Sequence, residues 1–177
     1  MNDYFEDDPQ AKRKVLEMLT VANEYCLFLE KAEEYSLEVL MDFLHRVLPL
    51  LYLKGSLLPV IESENEGKEE RFVVEQQWED LFNTLKNKFN EKDVFVKSLA
   101  ADYIAEDITK GSCAENLADL YQDMKDFVML FMKNTFTAKE AAAVQCHQLF
   151  RAHWGPIITE LMPHLHRLFY ETESEIS

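Results

Sequence analysis

The chain has 177 residues, 47% of them apolar and 12% aromatic, so it is long and apolar enough to build one domain around a real core. Only 4 glycines and 5 prolines are present, which argues against an all-β fold and favours helices. Most of the net charge of −15 is concentrated in residues 1–8, 62–71 and 171–177. Nucleic-acid binding is disfavoured, because it requires a basic surface that the sequence lacks.

The first residues and the cysteines indicate the compartment. Residues 1–8 are acidic and carry no apolar run, so they do not resemble a secretory signal. Cys26, Cys113 and Cys146 are odd in number and far apart, which fits a reducing compartment and predicts neither a disulfide framework nor a metal site. The longest apolar stretch, residues 37–53, contains charged residues and a proline and does not read as a membrane span. We therefore expect a cytoplasmic protein without a membrane partner.

Two helices are predicted in the first third of the chain. Asp8 is the expected N-cap of a helix from about residue 9 to 34. Ser36 caps the next helix, about 37–54, which is apolar nearly all round and should therefore have neighbours on several sides. Pro49 removes one backbone hydrogen bond from this helix and should kink or split it.

The middle of the chain combines a polar loop with less regular elements. Residues 60–71 are densely charged and predict a mobile acidic loop. A helix follows at about 73–89. Residues 91–110 predict a short helix; the segment 93–96 has a strand-like composition, but no partner strand is evident elsewhere.

The last third predicts three helices. A capping box formed by Ser112 and Glu115 begins a helix to about residue 132. A second capping box, Thr137–Glu140, begins a helix to about residue 153. Gly155–Pro156 should break the chain there and open a final helix to about residue 170, which Pro163 should kink.

Together these elements predict an all-α fold. We expect a single-domain bundle of about six or seven helices in residues 9–171, with the helices near 37–53 and 115–132 at its centre. The acidic ends, residues 1–8 and 172–177, should be flexible. The sequence leaves the oligomeric state open.

The helix at 112–132 carries an acidic side that is the candidate interaction face. Its five members fall within an arc of roughly 100° opposite the apolar side: Glu115, Asp119, Gln122, Asp123 and Asp126. Like-charge pairs four residues apart each cost roughly 0.2–0.5 kcal/mol. One interpretation is an ordinary solvated face. The other is a surface that docks a basic protein partner, which makes the chain a protein-binding or regulatory module that needs no cofactor.

An enzymatic alternative depends on the carboxylates, because the sequence shows no nucleophile elbow, phosphate loop or zinc-protease spacing. The candidate metal-site residues are Glu115, Asp119, Glu30 and Glu33. Glu115 and Asp119 would hold Mg²⁺, with Glu30 or Glu33 opposite them across the bundle orienting water, in a hydrolase of phosphate esters or nucleotides. This pattern is similar to that of the all-helical nucleoside triphosphate pyrophosphatases, which pair a Glu-x-x-Glu helix with a Glu-x-x-Asp helix. Here the second motif is Glu-x-x-x-Asp.

Four runs of sequence resemble a known family more closely. They are EYCLFLE (24–30), LPLLYLKGSLLP (48–59), ENLADLYQDMKDF (115–127) and HWGPIITELMPHLHRLF (153–169). In this order they are similar to a family of helical bacterial proteins catalogued as domain of unknown function 5063. The resemblance implies an all-α cytoplasmic protein and brings no catalytic residues to carry over.

Overall fold

The computed structural model describes residues 8–61, 70–97 and 109–176, the side chains of 172–176 excepted. Its elements in chain order are α1 (Pro9–Leu29), α2 (Leu37–Ser56), α3 (Glu75–Phe89), β1 (Val94–Val96), β2 (Lys110–Ser112), α4 (Cys113–Phe131), α5 (Phe136–Leu149) and α6 (Gly155–Ile176). A π turn, Phe150–Trp154, joins α5 and α6 without interruption. The predicted all-α bundle is confirmed. Within the described ranges it has five separate helical rods, fewer than the six or seven predicted, because α5 and α6 form one rod.

Three predicted N-caps are confirmed by hydrogen bonds from backbone N–H groups of the first turn. Asp8 caps α1, Ser36 caps α2 and Ser112 caps α4. Each side-chain oxygen satisfies a donor that has no partner within its own helix. The first helix ends at Leu29 instead of near residue 34, and a short 3₁₀ turn, Ala32–Glu34, carries the chain towards α2.

The start of α5 differs from the prediction. Thr135, not Thr137, is the N-cap, and its hydroxyl accepts a hydrogen bond from the backbone N–H of Ala138 at 3.2 Å. Asn134 adopts a left-handed conformation with a φ of 56°, which asparagine tolerates better than most residues. This turn sets the direction in which the chain leaves α4, and the N-cap of α5 lies two residues before the predicted one.

The predicted break at Gly155–Pro156 does not occur. The backbone N–H of Gly155 bonds to the carbonyl of Phe150, five residues back, as in a π turn. A side chain at Gly155 would overlap that carbonyl oxygen, so glycine permits the close approach. The missing N–H of Pro156 then falls in the first turn of α6. Pro49 likewise lies inside α2 and does not split it.

Residues 94–96 form a strand, so the helix predicted for this segment is wrong. β1 pairs antiparallel with β2, with Val94 opposite Ser112 and Val96 opposite Lys110. The Lys-Gly-Ser sequence of β2 shows no alternation of apolar and polar residues, which is why it was not recognisable as a partner. The remainder of the predicted short helix, at 98–108, lies outside the described residues.

The centre of the bundle is α4, which packs against α1, α3 and α5, while α2 packs against α1 and α6. Asp93 anchors the N-terminus of α4: it is fully buried and accepts a hydrogen bond from the backbone N–H of Ala114 at 2.7 Å. Lys86 balances its charge, with Nζ at 2.6 Å. On α1, the buried hydroxyl of Tyr25 donates to the carbonyl of Leu117 at 2.9 Å. These contacts fix the position of α4 along its axis and its rotation about that axis.

The predicted flexible segments are described only in part. Residues 1–7 and 62–69 lie outside the described residues. The backbone of residues 172–176 is helical and forms the end of α6. Among the helices described, none combines the length and the apolar character that a membrane-spanning segment requires.

Candidate functional site

Two of the five residues on the predicted acidic face are removed from solvent. Asp123 is 3% exposed and Asp126 is fully buried. A buried carboxylate requires hydrogen-bond donors or a cation, so the solvated-face interpretation does not hold for these two. Glu115 is exposed, while Asp119 and Gln122 are half-buried. We refer to Glu115, Asp119 and Gln122 as the acidic strip, since only these three remain accessible.

Arg71 provides the cation for the buried pair. Its Nη1 lies 2.9 Å from Oδ1 of Asp123 and 3.2 Å from Oδ2 of Asp126. Burial lowers the pKa of Arg71, but its hydrogen bonds to the two carboxylates outweigh burial, and the net direction is upward. Arg71 is the last residue of the predicted mobile loop at 60–71, so that end of the loop is attached to α4.

Asp126 also binds the backbone that enters α3. Its Oδ1 accepts hydrogen bonds from the N–H groups of Phe72, at 2.7 Å, and Val73, at 3.1 Å. These residues precede α3, so their N–H groups have no helical partner. Asp126 therefore does for this segment what an N-cap does for a helix: it supplies the missing acceptor from a neighbouring element.

His153 lies in the π turn and completes the arrangement. Its Nδ1 lies 2.5 Å from Oδ2 of Asp123, and it donates this hydrogen bond because an ionised carboxylate can only accept. The bond to Asp123 raises the pKa of His153, and burial acts in the opposite direction. The side chain is 44% exposed, so the imidazole links a buried carboxylate to the surface. We refer to Arg71, Asp123, Asp126 and His153 as the polar cluster.

Neither Arg71 nor His153 belongs to a sequence motif from which a site is predicted. Arg71 is 52 residues from Asp123, and His153 is 30 residues from it. The available signal is indirect: closely spaced aspartates on a helix with an otherwise apolar second half require cations if that helix is buried. The signal predicts that cations are needed, but not which ones.

Trp78 connects the acidic strip to α3. Its indole N–H donates to Oδ1 of Asp119 at 2.9 Å, and its ring stacks on Phe82 with centroids 5.2 Å apart. Burial raises the pKa of Asp119, while the indole hydrogen bond lowers it. A cavity of about 300 Å³ lies beside this pair. We refer to it as the Trp78 cavity; its lining consists of Val73, Val74, Glu75, Trp78, Asp119 and Gln122.

Glu30 and Glu33 line a separate cavity of about 290 Å³. Glu30 accepts a hydrogen bond from Tyr121 at 3.0 Å and pairs with Lys125 at 2.6 Å. At 100° per residue, Tyr121 and Lys125 lie about 120–160° round α4 from Asp119. Glu30 therefore contacts α4 on a side other than the one that carries Asp119. Among the side chains described, no three of His, Cys, Asp or Glu are arranged to hold a metal ion.

Known proteins match nearly the whole chain. The family model described as Domain of unknown function (DUF5063) matches residues 9–171. The crystal structure of protein BF1032 from Bacteroides fragilis is similar, with a TM-score of 0.77 and 34% sequence identity, covering 88% of this chain and 91% of that chain. No curated protein matches the chain. The resemblance carried by the four sequence runs is confirmed, and the chain belongs to the family described as Domain of unknown function (DUF5063).

Proposed function

We propose that the protein is a protein-binding module whose Trp78 cavity receives a lysine or arginine side chain from a basic partner. The observation that carries the proposal is the hydrogen bonding of the two carboxylate oxygens of Asp119. Its Oδ1 accepts the indole hydrogen bond, while its Oδ2 receives no hydrogen bond from any residue of the described ranges. A half-buried carboxylate with an open acceptor beside a cavity is suited to a cationic group.

The surrounding charges favour the same class of ligand. Glu75 lines the cavity with Asp119, and Glu115 lies one helical turn from Asp119 on the exposed side of α4. The guanidinium of Arg71 pairs with the buried carboxylates of Asp123 and Asp126. An anionic ligand would meet like charge here, whereas a cation would gain complementary charge.

The dimensions of the cavity favour a side chain over a larger ligand. A volume of about 300 Å³ stands at the lower limit for pockets that bind small molecules. The indole of Trp78 supplies an aromatic surface against which the alkyl part of lysine or arginine can pack. The rest of a partner would lie on the acidic strip, where rim charges accelerate association more than they tighten it.

The proposal is tested by titrating the protein with a short peptide rich in lysine and arginine while following tryptophan fluorescence. The chain has 2 tryptophans, and Trp154 is fully buried, so a change on binding is expected to come from Trp78. Asp119→Asn should weaken binding by about ten-fold or more, because a hydrogen bond to a charged group contributes about 1.5–3 kcal/mol.

Asp80→Asn is the matched control, since Asp80 is exposed on α3 and lines the other cavity. This variant should bind the peptide as the wild type does. An acidic peptide of the same length should not bind. Equal affinity of the basic peptide for wild type and Asp119→Asn would overturn the proposal.

A further inference from the structure

Helix α2 has an apolar face that points away from the core. Its buried residues include Leu40, Leu44, Leu48 and Leu51. On the opposite side runs a second row, spaced by four, three, four, three and four residues: Val39, Phe43, Arg46, Leu50, Leu53 and Leu57. The four aliphatic members of this row are between 41% and 51% exposed. We refer to the row as the outer row.

The outer row borders a groove shared with α1. The groove has a volume of about 560 Å³, and six of the ten residues that line it are apolar. Phe28 of α1 stacks on Phe43 with ring centroids 3.7 Å apart, so the two helices form a continuous aromatic floor. Leu16 and Leu27 of α1 extend the exposed apolar surface, at 42% and 48% exposure.

The spacing of the outer row is that of a helix that packs against another helix. An alternation of three and four residues places knobs along one seam, as at the a and d positions of a heptad. Contiguous exposed apolar surface of this kind marks interaction sites on soluble domains. The sequence prediction that α2 has neighbours on several sides is met on its inner side by α1 and α6. Its outer side is left without a neighbour by the described residues.

We propose that a second copy of this chain covers the outer row from Val39 to Leu50, with the two α2 helices antiparallel about a two-fold axis between Phe43 and Arg46. In this register Val39 faces Leu50 of the partner subunit, and Arg46 faces Phe43 of the partner subunit. An isologous interface must be self-complementary in this way. Val39 and Leu50 then meet at both ends, and the charged residues meet near the axis, while Leu53 and Leu57 extend beyond the first residue of the partner's α2.

The charges select the antiparallel orientation. Asp42 and Arg46 both line the groove, and within one helix Oδ1 of Asp42 lies 2.8 Å from Nη2 of Arg46. Antiparallel pairing brings Arg46 close to Asp42 of the partner subunit, so each charge gains a second partner of opposite sign. Parallel pairing in register would place Arg46 against Arg46 of the partner subunit and Asp42 against Asp42 of the partner subunit. Like-charge contacts across an interface oppose association.

The first test is the mass of the full chain in solution, measured by sedimentation from about 1 μM to about 100 μM, a span that includes the weaker interfaces of standard size. Wild type should have twice the mass of one chain at the upper end and dissociate on dilution. Leu50→Glu should remain at the mass of one chain throughout. Met129→Glu is the matched control, because Met129 has the same 41% exposure on α4, and it should dimerise as wild type does.

Arg46→Glu is a second interface variant, which tests the proposal even if Leu50→Glu does not fold. The side chain of Arg46 is 69% exposed, so the single chain should fold normally, as far-ultraviolet circular dichroism can verify. This variant should also weaken the dimer by about ten-fold or more in dissociation constant. Wild type at the mass of one chain at every concentration, or a dimer unaffected by both variants, would overturn the proposal.

Disulfide cross-linking tests the orientation. The native cysteines are buried and should not interfere. Val39→Cys chains mixed with Leu50→Cys chains should form a cross-linked heterodimer on mild oxidation. Val39→Cys alone should not cross-link, because eleven residues of offset separate the two thiols by about 16 Å along the helix, beyond the reach of a disulfide. Efficient cross-linking of Val39→Cys to itself would overturn the antiparallel arrangement.

Discussion

His153 and Asp123, 30 residues apart in the chain, are joined by a hydrogen bond of 2.5 Å between Nδ1 and Oδ2. The other carboxylate oxygen of Asp123, Oδ1, accepts a hydrogen bond from Nη1 of Arg71 at 2.9 Å. One buried carboxylate on α4 therefore holds both the π turn and the segment that leads into α3. His153 is therefore a titrating group at the junction of α4, the π turn and the segment that leads into α3. Its protonation makes the stability of the fold depend on pH.

We expect the contact between His153 and Asp123 to stabilise the fold less as pH rises, because the imidazole loses its positive charge. The pKa of His153 is raised above its ordinary value of 6.5 by the bond to Asp123, so the folded state holds the proton more tightly than the unfolded state. The contribution to stability is therefore full below about pH 6.5 and disappears as pH rises through the higher folded pKa. His153→Asn should lower the free energy of unfolding more at about pH 6 than at about pH 9. Urea melts at both pH values measure this difference.

His147 on the same helical rod is the internal control for that titration. Burial lowers its pKa, and the charge of Arg151 acts in the same direction. A titration followed by NMR should therefore show His147 changing protonation below pH 6.5 and His153 above it. The reverse order would contradict the proposed role of Asp123.

Asp123→Asn should destabilise the protein by about 1–3 kcal/mol, because it removes the charge that Arg71 and His153 share at a buried position. If the residue were solvated, the same change would instead relieve repulsion and stabilise the helix by a few tenths of a kcal/mol. Urea melts distinguish the two signs. The exposed Asp80→Asn control should change stability by less than about 0.5 kcal/mol. A stabilised Asp123→Asn would show that the polar cluster does not form in solution.

Asp126→Ala should free the backbone of Phe72 and Val73. Both N–H groups donate to Oδ1 of Asp126, and no other acceptor is within reach of them in the described residues. Their amide hydrogen exchange should become faster by about ten-fold or more, since each lost bond to a charged acceptor contributes about 1.5–3 kcal/mol. Asp123→Asn leaves both bonds in place, so local opening should not expose the amides of Phe72 and Val73 to faster hydrogen exchange. Unchanged exchange in Asp126→Ala would contradict the capping role.

Gly55→Ala should destabilise the fold although alanine favours helices. A Cβ at Gly55 would overlap the rings of Trp154 and Phe150, which pack against α2. Overpacking costs about 1–3 kcal/mol, against a helix-propensity gain of about 1 kcal/mol. We expect a lower melting temperature and a change in the near-ultraviolet circular dichroism of Trp154. The neighbouring Ser56→Ala, at an exposed position, should alter neither.

The helices and several of their ends could be predicted because they depend on neighbouring residues. Asp8, Ser36 and Ser112 each bond to N–H groups two or three residues away, so a short stretch of sequence contains the whole interaction. The apolar period of α4 similarly predicted the side that packs in the core. Where two caps of equal chemistry compete, as Thr135 and Thr137 do, the path of the chain decides.

The acidic face shows the limit of the same reasoning. Periodicity placed Asp119, Asp123 and Asp126 on one side of α4, and that placement holds. It did not separate a half-buried Asp119 from a fully buried Asp126, because burial of a polar side depends on what packs against it. The strand β2 could not be predicted for a related reason. Its three residues have no apolar–polar alternation, and they form a strand because they pair with β1.

An all-α bundle and its main helices could be predicted from the residues alone, since helix formation and amphipathic burial are encoded within a few turns of chain. The family could be predicted from four runs of sequence. The three-dimensional structure was needed to show that α5 and α6 form one rod and that Arg71 and His153 meet at Asp123. It also placed Glu30 against Tyr121 and Lys125 of α4. The physical reason is that the contacts of Asp123 join residues 30 or more positions apart, and the rod depends on a π turn that the Gly155–Pro156 pair does not reveal. Their pairing is set by how the helices rotate and pack, and no local pattern records that rotation.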